Sequence, residues 1–321
     1  MTKKIAVVIV NYKTGRLVKE LLESLPNDFS ELCSKLLVID NCSGDGSVDQ
    51  ISSWIKLNNR SDEIELVVSE INGGYAYGNN LGIKLLQSYD AMPDYILLLN
   101  PDTLVSYFTF KSLLSFMEAN PKVGIAGSKL VSNEGEIQCS SFRFPTILSE
   151  LSSSLKLGVL DKILSKWTVA PSHISHVPEE VGWVAGASMI IRREVFDDVG
   201  LMDENYFLYY EETDFCFQAH KKGWQCWYVP ESQVTHFVGQ STGVVSGDKK
   251  RRRRPKYWFE SRQRYFLKNY GIFYTMLADL IWGTGFAVWR IRRFLQRKPD
   301  LDPVHMLWDF WRNSIFFSWI K

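Results

Sequence analysis

The sequence predicts an α/β protein with a mostly parallel, mixed sheet, and two features of its amino-terminal third lead to this prediction. Short runs rich in Val, Ile and Leu are each followed by polar or Gly-rich residues, as is typical of strands buried on both faces of a parallel sheet. Helix-like segments between them supply the crossovers that parallel strands require. The strands are predicted at residues 5–10, 36–39, 65–68 and 95–99, and the helices at 16–25, 47–55 and 77–86.

Polar residues close these strands. Asn11 follows the first apolar run and Asp40 follows the second. The fourth run ends in Asn100-Pro101-Asp102. Proline lacks an N–H and biases the preceding residue away from helix, so strand pairing should stop there. Asp102 should then lie beyond the carboxyl end of the strand, where ligands bind in open α/β sheets.

A dinucleotide-binding Rossmann unit is disfavoured, because no Gly-x-Gly-x-x-Gly follows the first strand. Instead, an ordered set of motifs resembles glycosyltransferase family 2, nearest to its bacterial rhamnosyltransferase group, over about residues 4–270. The donor-side motifs lie at residues 7–12, 38–46, 72–82 and 100–102, and the acceptor-side motifs at 183–187, 203–207 and 210–214.

This resemblance implies a GT-A fold, a nucleotide-diphosphate sugar donor and a metal-dependent, inverting hexosyl transfer to an acceptor hydroxyl. Inversion by direct displacement requires a base for the acceptor's proton, positive charge to neutralise the departing diphosphate, and a nucleotide pocket. The sequence offers candidates for all three.

For the nucleotide pocket, the resemblance implies Asn11 and Asp40. The alternative is that Asp40 only stabilises the turn at residues 43–46 through an Asx-type hydrogen bond. Asn72, Gly74 and Asn79 are further donor-side candidates, although Asn79 could simply face a helix surface.

For the metal, Asn100 and Asp102 look like the family's variant of the Asp-x-Asp motif, with Asp102 binding Mg²⁺ or Mn²⁺. Hard oxygen ligands suit these ions. Asn100 removes one negative charge, so other ligands should contribute more, and His236 is one by family analogy. A lone histidine after a strand is more often structural, but as a ligand it would favour Mn²⁺.

The base is expected among three acids at the start of a predicted helix that continues to Lys222. Carboxylates at a helix N-terminus are also electrostatically favoured without any catalytic role. Helical geometry separates neighbours by about 100°, so only one of Glu211 and Glu212 can point at the acceptor. The family's motif implies Glu212, Glu211 is the alternative, and Asp214 is expected to orient neighbouring groups.

Three residues are candidates for the acceptor and sugar site. Trp183 could stack on a sugar or fill the core. Gly186 and Ala187 would allow a sugar to approach the backbone closely, but tight strand packing explains small residues equally well.

Basic residues are concentrated late in a chain whose net charge is only +1: residues 249–298 contain 15 Lys and Arg against Glu260 and Asp279. We therefore predict a catalytic domain at residues 1–248, with a donor half to about residue 130 and an acceptor half from 131, and a helical appendage at 249–321. Arg262 is the preferred diphosphate ligand, because arginine binds phosphate oxygens in a bidentate manner.

The appendage contains two aromatic, amphipathic stretches, residues 272–289 and 306–319. Trp, Tyr and trailing arginines favour an interfacial helix on an anionic membrane surface. The alternative is a helical pair that packs on the catalytic domain or forms a homo-oligomer.

Lys3 and Lys4 precede a predicted strand rather than a longer apolar segment, so no signal peptide is expected. We therefore expect a cytoplasmic protein, peripheral on the inner face of the plasma membrane. The five cysteines show no Cys-x-x-Cys pair, which fits reduced thiols and argues against zinc. No nucleic-acid partner is expected.

Together these features predict an enzyme that moves a sugar to a lipid-linked or surface-glycan acceptor such as an O-antigen precursor. The resemblance to the rhamnosyltransferase group implies that the sugar is rhamnose and that its donor is dTDP-rhamnose. UDP-hexose or galactofuranose donors are the alternative. A sugar-phosphate nucleotidyltransferase should carry a Gly-rich, basic loop after the first strand, which residues 11–15 do not match. A non-catalytic membrane scaffold should have lost Asp102 or the acids around Glu212.

Overall fold

The computed structural model describes residues 5–89, 92–237 and 252–317. The first part of the predicted basic loop, residues 249–251, lies outside these ranges. The chain forms two compact units: unit 1 comprises Met1–Phe142, Ile174–Glu204 and Glu211–Ser246, and unit 2 comprises Arg143–His173, Asn205–Tyr210 and Gly247–Lys321. The boundary at residue 248 remains a prediction, and unit 2 also takes two earlier segments of the chain.

The strands, in chain order, are β1 (Ile5–Asn11), β2 (Cys33–Asp40), β3 (Ile64–Val68), β4 (Tyr95–Leu99), β5 (Thr103–Leu104), β6 (Val123–Val131), β7 (Ile137–Gln138), β8 (Ser141–Phe142), β9 (Glu179–Val181), β10 (Trp183–Val184), β11 (Ser188–Arg192) and β12 (Gln225–His236). The helices are α1 (Gly15–Glu23), α2 (Phe29–Leu32), α3 (Ser47–Leu57), α4 (Gly74–Gln87), α5 (Tyr107–Ala119), α6 (Ile147–Leu155), α7 (Gly158–Ile163), α8 (Arg193–Val199), α9 (Glu211–Lys221), α10 (Lys256–Tyr270), α11 (Ile272–Leu295) and α12 (Met306–Arg312).

Unit 1 is built on one mixed sheet with the strand order β3-β2-β1-β4-β11-β6-β12-β5. The first four strands in this order are parallel, β11 runs antiparallel to both β4 and β6, and β12 is parallel to β6. The predicted α/β class with a mostly parallel, mixed sheet is confirmed. The carboxyl ends of β1, β2 and β4 therefore meet at one edge.

The core of unit 1 lies on both sides of β1 and β4, whose residues are fully buried. Burying a Val, Leu or Ile side chain contributes about 1.5–3 kcal/mol, which is why these continuous apolar runs form central strands. Helix α4 approaches β1 closely at two glycines. A Cβ at Gly78 would lie 2.6 Å from Val10, and one at Gly82 would lie 2.7 Å from Val8. This close packing fixes the loop that precedes α4.

Unit 2 is helical, and α11 packs against α6, α10 and α12. Its apolar core contains Phe259, Trp282, Phe286, Met306 and Phe310. Within the described residues, α11 is the one helix long and apolar enough to cross a membrane, yet 39% of its most apolar window is buried inside the protein.

Candidate functional site

The ends of β1 and β2 bring Asn11 and Asp40 side by side, as the parallel register requires. Asn11 Nδ2 donates to Asp40 Oδ1 at 2.6 Å, and the Ser43 N–H donates to Asp40 Oδ2 at 3.0 Å. The Asx-type turn considered as an alternative role for Asp40 is therefore present. Both side chains are buried at the carboxyl edge of the sheet, where ligands bind in open α/β sheets.

A second polar cluster lies at the start of α4. Asn41 Nδ2 donates to Asn72 Oδ1 and to the Gly74 carbonyl, both at 3.0 Å, and the Gly74 N–H donates to Asn72 Oδ1. Asn41 Oδ1 is buried and accepts no hydrogen bond from the described residues. An unsatisfied buried acceptor costs about 1–3 kcal/mol, so this atom is suited to a ligand's N–H or O–H donor. Sequence reasoning missed Asn41.

Asn79 lies on α4 with its side chain buried. Its Nδ2 donates to the Tyr75 carbonyl one turn earlier, at 3.0 Å. This hydrogen bond occupies the Asn79 amide within its own helix. A contact between Asn79 and the nucleotide-sugar donor stays a prediction.

Asp102 and His236 are brought together by strand pairing, since β5 begins directly after Asp102 and Thr103 pairs with His236. Asp102 is buried, and its Oδ1 lies 3.5 Å from His236 Nε2. Asn100 is half-buried two residues earlier, and its carbonyl accepts a hydrogen bond from Thr103 Oγ1.

The tautomer of His236 follows from its neighbour Gln138. Gln138 Nε2 donates to the His236 carbonyl, so Gln138 Oε1 is the acceptor that lies 3.2 Å from His236 Nδ1. Nδ1 must then carry the hydrogen, which leaves the Nε2 lone pair directed at the Asp102 carboxylate. With this tautomer, an imidazole nitrogen and a carboxylate oxygen face one another at 3.5 Å.

A carboxylate oxygen and an imidazole nitrogen are both suitable ligands for Mn²⁺. Mg²⁺ also binds the oxygen but prefers an imidazole ligand less than Mn²⁺ does. Across residues 5–89, 92–237 and 252–317 no group of three or more His, Cys, Asp or Glu could hold a metal.

The predicted acids lie at the N-terminus of α9, after a strained turn. Tyr209 and Tyr210 both have φ of 71°, in the left-handed region. This costs a non-glycine residue roughly 1–2 kcal/mol, and such strain is concentrated at functional sites.

Glu211 is buried, and burial together with the charge of Glu212 raises the pKa of its carboxyl well above the ordinary value. Glu212 is half-buried; burial raises its pKa, while hydrogen bonding from the N–H groups of Glu212 and Gly186 lowers it. Each acid has a buried Oε2 with no hydrogen-bond partner among the described residues. Adjacent buried carboxyls disfavour double ionisation, so two full negative charges are unfavourable at this helix end.

Gly186 connects this acid pair with α4. The Tyr75 hydroxyl donates to the Gly186 carbonyl at 2.8 Å, and a Cβ at Gly186 would lie 2.5 Å from that hydroxyl. A side chain at this position would therefore crowd the Tyr75 hydroxyl, and the role of Gly186 at a sugar site stays a prediction. Burial and the nearby charges of Glu212 and Glu211 raise the pKa of Tyr75 well above its ordinary value, so Tyr75 stays a hydroxyl donor.

The remaining acceptor-side candidates have structural contacts. Trp183 stacks on Phe142 with ring centroids 4.2 Å apart, because β10 pairs with β8. Ala187 is buried. Asp214 is also buried and accepts a hydrogen bond from Gln218 Nε2 at 3.2 Å.

Arg262 does not fit the predicted contact with the donor diphosphate. It lies in unit 2 and is 3% exposed, with Nε and Nη2 donating to Glu150 and Nη1 donating to Asp279 at 2.6 Å. Its fork is therefore occupied by two buried carboxylates. The sequence suggested a phosphate ligand because it gave no sign of Glu150.

The mixed, curled sheet of unit 1, with its acids at the sheet edge, is the GT-A architecture of glycosyltransferases. Residues 6–200, more than half of the chain, match the model of Glycosyl transferase family 2, and the chain belongs to this family.

Its relatives include rhamnosyltransferases. The chain is 28% identical over 257 residues to the N-acetylglucosaminyl-diphospho-decaprenol L-rhamnosyltransferase of Mycobacterium tuberculosis, covering 76% of this chain and 79% of that protein. It is 25% identical over 245 residues to rhamnosyltransferase WbbL of Escherichia coli, covering 72% and 83%. These likenesses support the predicted rhamnosyltransferase-like group.

A solved structure confirms the fold. The crystal structure of GalNAc-T7 with UDP, GalNAc and Mn²⁺ matches with a TM-score of 0.56 at 16% identity, over 91% of this chain. This chain spans 56% of the length of that structure.

Proposed function

We propose that this protein transfers rhamnose from dTDP-rhamnose, with inversion, to a hydroxyl group of a lipid-linked glycan acceptor. The family membership supports sugar transfer. The names of the two rhamnosyltransferase relatives support the sugar, and that of the mycobacterial relative supports an acceptor carried on a lipid diphosphate.

One observation carries the catalytic part of the proposal: residues 186 and 187 connect the candidate metal ligand with the candidate base. The Ala187 carbonyl accepts the Asn100 N–H at 3.1 Å, two residues before Asp102. The neighbouring Gly186 N–H hydrogen-bonds to Glu212. A single backbone segment thus links the loop that carries Asp102 with the helix end that carries Glu212, which supports a shared site for these two acids.

Asp102 and His236 would hold Mn²⁺ or Mg²⁺. When bound, the ion would neutralise charge on the departing nucleoside diphosphate. The presence of Mn²⁺ in the GalNAc-T7 structure supports this choice. Asn100 would contribute a neutral polar contact at the same edge.

Glu212 would be the base that removes the acceptor's proton. It is the member of the pair with greater exposure, and the pKa of Glu211, raised well above its ordinary value, would favour Glu212 as the ionised member. Its raised pKa also brings its basicity closer to neutral pH, which favours general-base catalysis. Asp214, one turn along α9, would keep this helix end in place.

On the donor side, Asp40 and Asn11 would bind the nucleoside, and Asn72 with Gly74 would line its approach. Trp183, Gly186 and Ala187 would line the sugar site. Asn41 Oδ1 is added to the predicted set as an acceptor for the donor.

At the cell level, we infer a peripheral protein on the cytoplasmic face of the plasma membrane. The exposed apolar side chains of α11 support contact with a membrane surface; they include Phe273, Leu277, Leu280, Ile291 and Phe294. The buried Asp279, paired with Arg262, favours a helix that lies on the membrane over one that crosses it.

The test is a donor screen with purified protein, Mn²⁺ and a short N-acetylglucosaminyl-diphospho-lipid. We expect release of dTDP from dTDP-rhamnose, with little turnover of UDP-glucose, UDP-galactofuranose or GDP-mannose. NMR of the product should show an inverted anomeric centre. Preferred turnover of another nucleotide sugar would refute the rhamnose assignment, and a retained anomer would refute the direct displacement.

A further inference from the structure

Unit 2 contains two cavities that share one helix as a wall, and the two differ sharply in chemistry. One, of about 520 Å³, is mostly apolar and is lined by Phe286, Met306, Leu307, Trp308 and Trp311, with the ion pair of Arg290 and Asp300 at its wall. Its volume lies in the range of about 300–1,000 Å³ that is typical of small-molecule sites.

The second cavity, of about 450 Å³, is basic. It is lined by Arg253, Arg254, Lys256 and Arg312 together with Phe259, Asp309 and Asn313. Its one carboxylate, Asp309, accepts hydrogen bonds from Arg253 at both oxygens.

Two cations of the basic cavity are available to a ligand. No carboxylate in the described part of the chain forms an ion pair with Arg254 or Arg312, whereas Lys256 pairs with Glu260. The Arg254 guanidinium lies 4.9 Å from the centroid of the Trp258 ring, which orients it without neutralising it. Arginine forks of this kind recognise phosphate oxygens.

Helix α12 lies between the cavities. Leu307, Trp308 and Trp311 face the apolar cavity, while Asp309, Arg312 and Asn313 face the basic one. At about 100° per residue these are neighbouring faces of one helix, whose diameter with side chains is about 10–12 Å. A ligand that is anionic at one end and apolar at the other can contact both faces.

We propose that these cavities bind an isoprenoid phosphate or diphosphate lipid, with the phosphates at Arg254 and Arg312 and the start of the isoprenoid chain against Trp308 and Trp311. This deepens the proposed function, because it gives the lipid-linked acceptor a binding site within unit 2. The pairing of a basic and an apolar cavity favours this amphiphile over a free phosphate, which would leave the apolar cavity unused.

The test measures binding of soluble farnesyl diphosphate to the full-length protein by calorimetry, without any nucleotide sugar. We expect Arg254→Gln and Arg312→Gln each to weaken binding about tenfold, the effect of losing one charge-assisted hydrogen bond. Trp308→Ala should weaken farnesyl diphosphate binding several-fold and leave inorganic diphosphate binding unchanged. Arg297→Gln and Trp167→Ala, exposed positions of unit 2 outside both cavities, are the matched controls.

Three outcomes would overturn the proposal. If inorganic diphosphate binds as tightly as farnesyl diphosphate, the cavities do not recognise the isoprenoid chain. If the Arg254→Gln, Arg312→Gln double variant binds farnesyl diphosphate with unchanged affinity, these arginines do not bind the phosphates. If phosphatidylglycerol vesicles without isoprenoid displace the probe and bind with the same variant dependence, the surface is a general membrane contact.

Failure here can be separated from failure of the proposed function by assaying transfer to a short, water-soluble sugar acceptor. Transfer without farnesyl diphosphate binding would leave the transferase assignment intact and refute the lipid site. Farnesyl diphosphate binding without consumption of any nucleotide sugar would support the lipid site and refute the transferase assignment.

Discussion

Replacing Arg262 with methionine tests whether this residue is structural. The guanidinium holds Glu150 and Asp279 together, and the three side chains are 3%, 8% and 0% exposed. The variant keeps a side chain of similar length but leaves two carboxylates buried without their counter-ion. Breaking a buried ion pair in this way costs about 3–5 kcal/mol.

The loss should depend on pH. Burial already raises the pKa of Glu150, and the charge of Arg262 opposes that rise. Without Arg262 the folded-state pKa climbs further above the unfolded value. An acid raised in this way is tolerated below its unfolded pKa and destabilises the fold increasingly as pH rises through the folded pKa. The deficit should therefore be large at pH 8 and smaller at pH 5.

Calorimetric unfolding measures this directly. At roughly 2–4 °C per kcal/mol, the variant should melt about 6–20 °C below the parent at pH 8. Lys256→Met, on the same helix and in an exposed pair with Glu260, should cost only about 1–2 °C. Equal effects of the two substitutions, or a deficit that grows towards acid pH, would refute the buried-cluster argument. If the Arg262→Met variant folds but binds the nucleotide sugar more weakly, this result would support the predicted contact between Arg262 and the donor diphosphate.

Three further predictions concern the acids of unit 1. Glu212→Gln should lower turnover about 100-fold or more with donor affinity nearly unchanged, the scale of general-base loss; Glu211→Gln is the matched control, and a larger loss there would move the base to Glu211. Asp102→Ala should abolish stimulation of turnover by Mn²⁺ in a metal titration, and an unchanged response would exclude it as a ligand. Glu211→Gln should also stabilise the fold at pH 8 but not near pH 4.5, because the raised pKa of Glu211 makes its ionised form costly only at higher pH; melting curves that stay parallel across this range would refute that effect.

The central strands were predictable because their burial on both faces leaves a continuous apolar run. Residues 5–10 and 95–99 form β1 and β4 to within one residue. The second strand was predicted too short: β2 begins at Cys33, because Ser34 and Lys35 are half-buried and interrupt the apolar pattern without ending the strand.

The candidate site was predictable where one strand end carries the signal, as at Asp40 and Asp102. The site was harder to predict where a residue's partner is distant in sequence. Glu150 lies 112 residues from Arg262, and Asn80 holds Met202 across 122 residues through hydrogen bonds in both directions. Nothing local distinguishes such residues from solvated polar ones. Tyr75 was missed for the same reason, since its partner Gly186 is 111 residues away.

The two hydrogen bonds of Gly186 have a practical consequence for anyone who wishes to redirect this enzyme. Its carbonyl is committed to Tyr75 and its amide to Glu212, so randomising positions 185–187 would disturb chemistry and folding together. Variation is better placed at Trp183, whose ring stacks on Phe142 and holds neither acid.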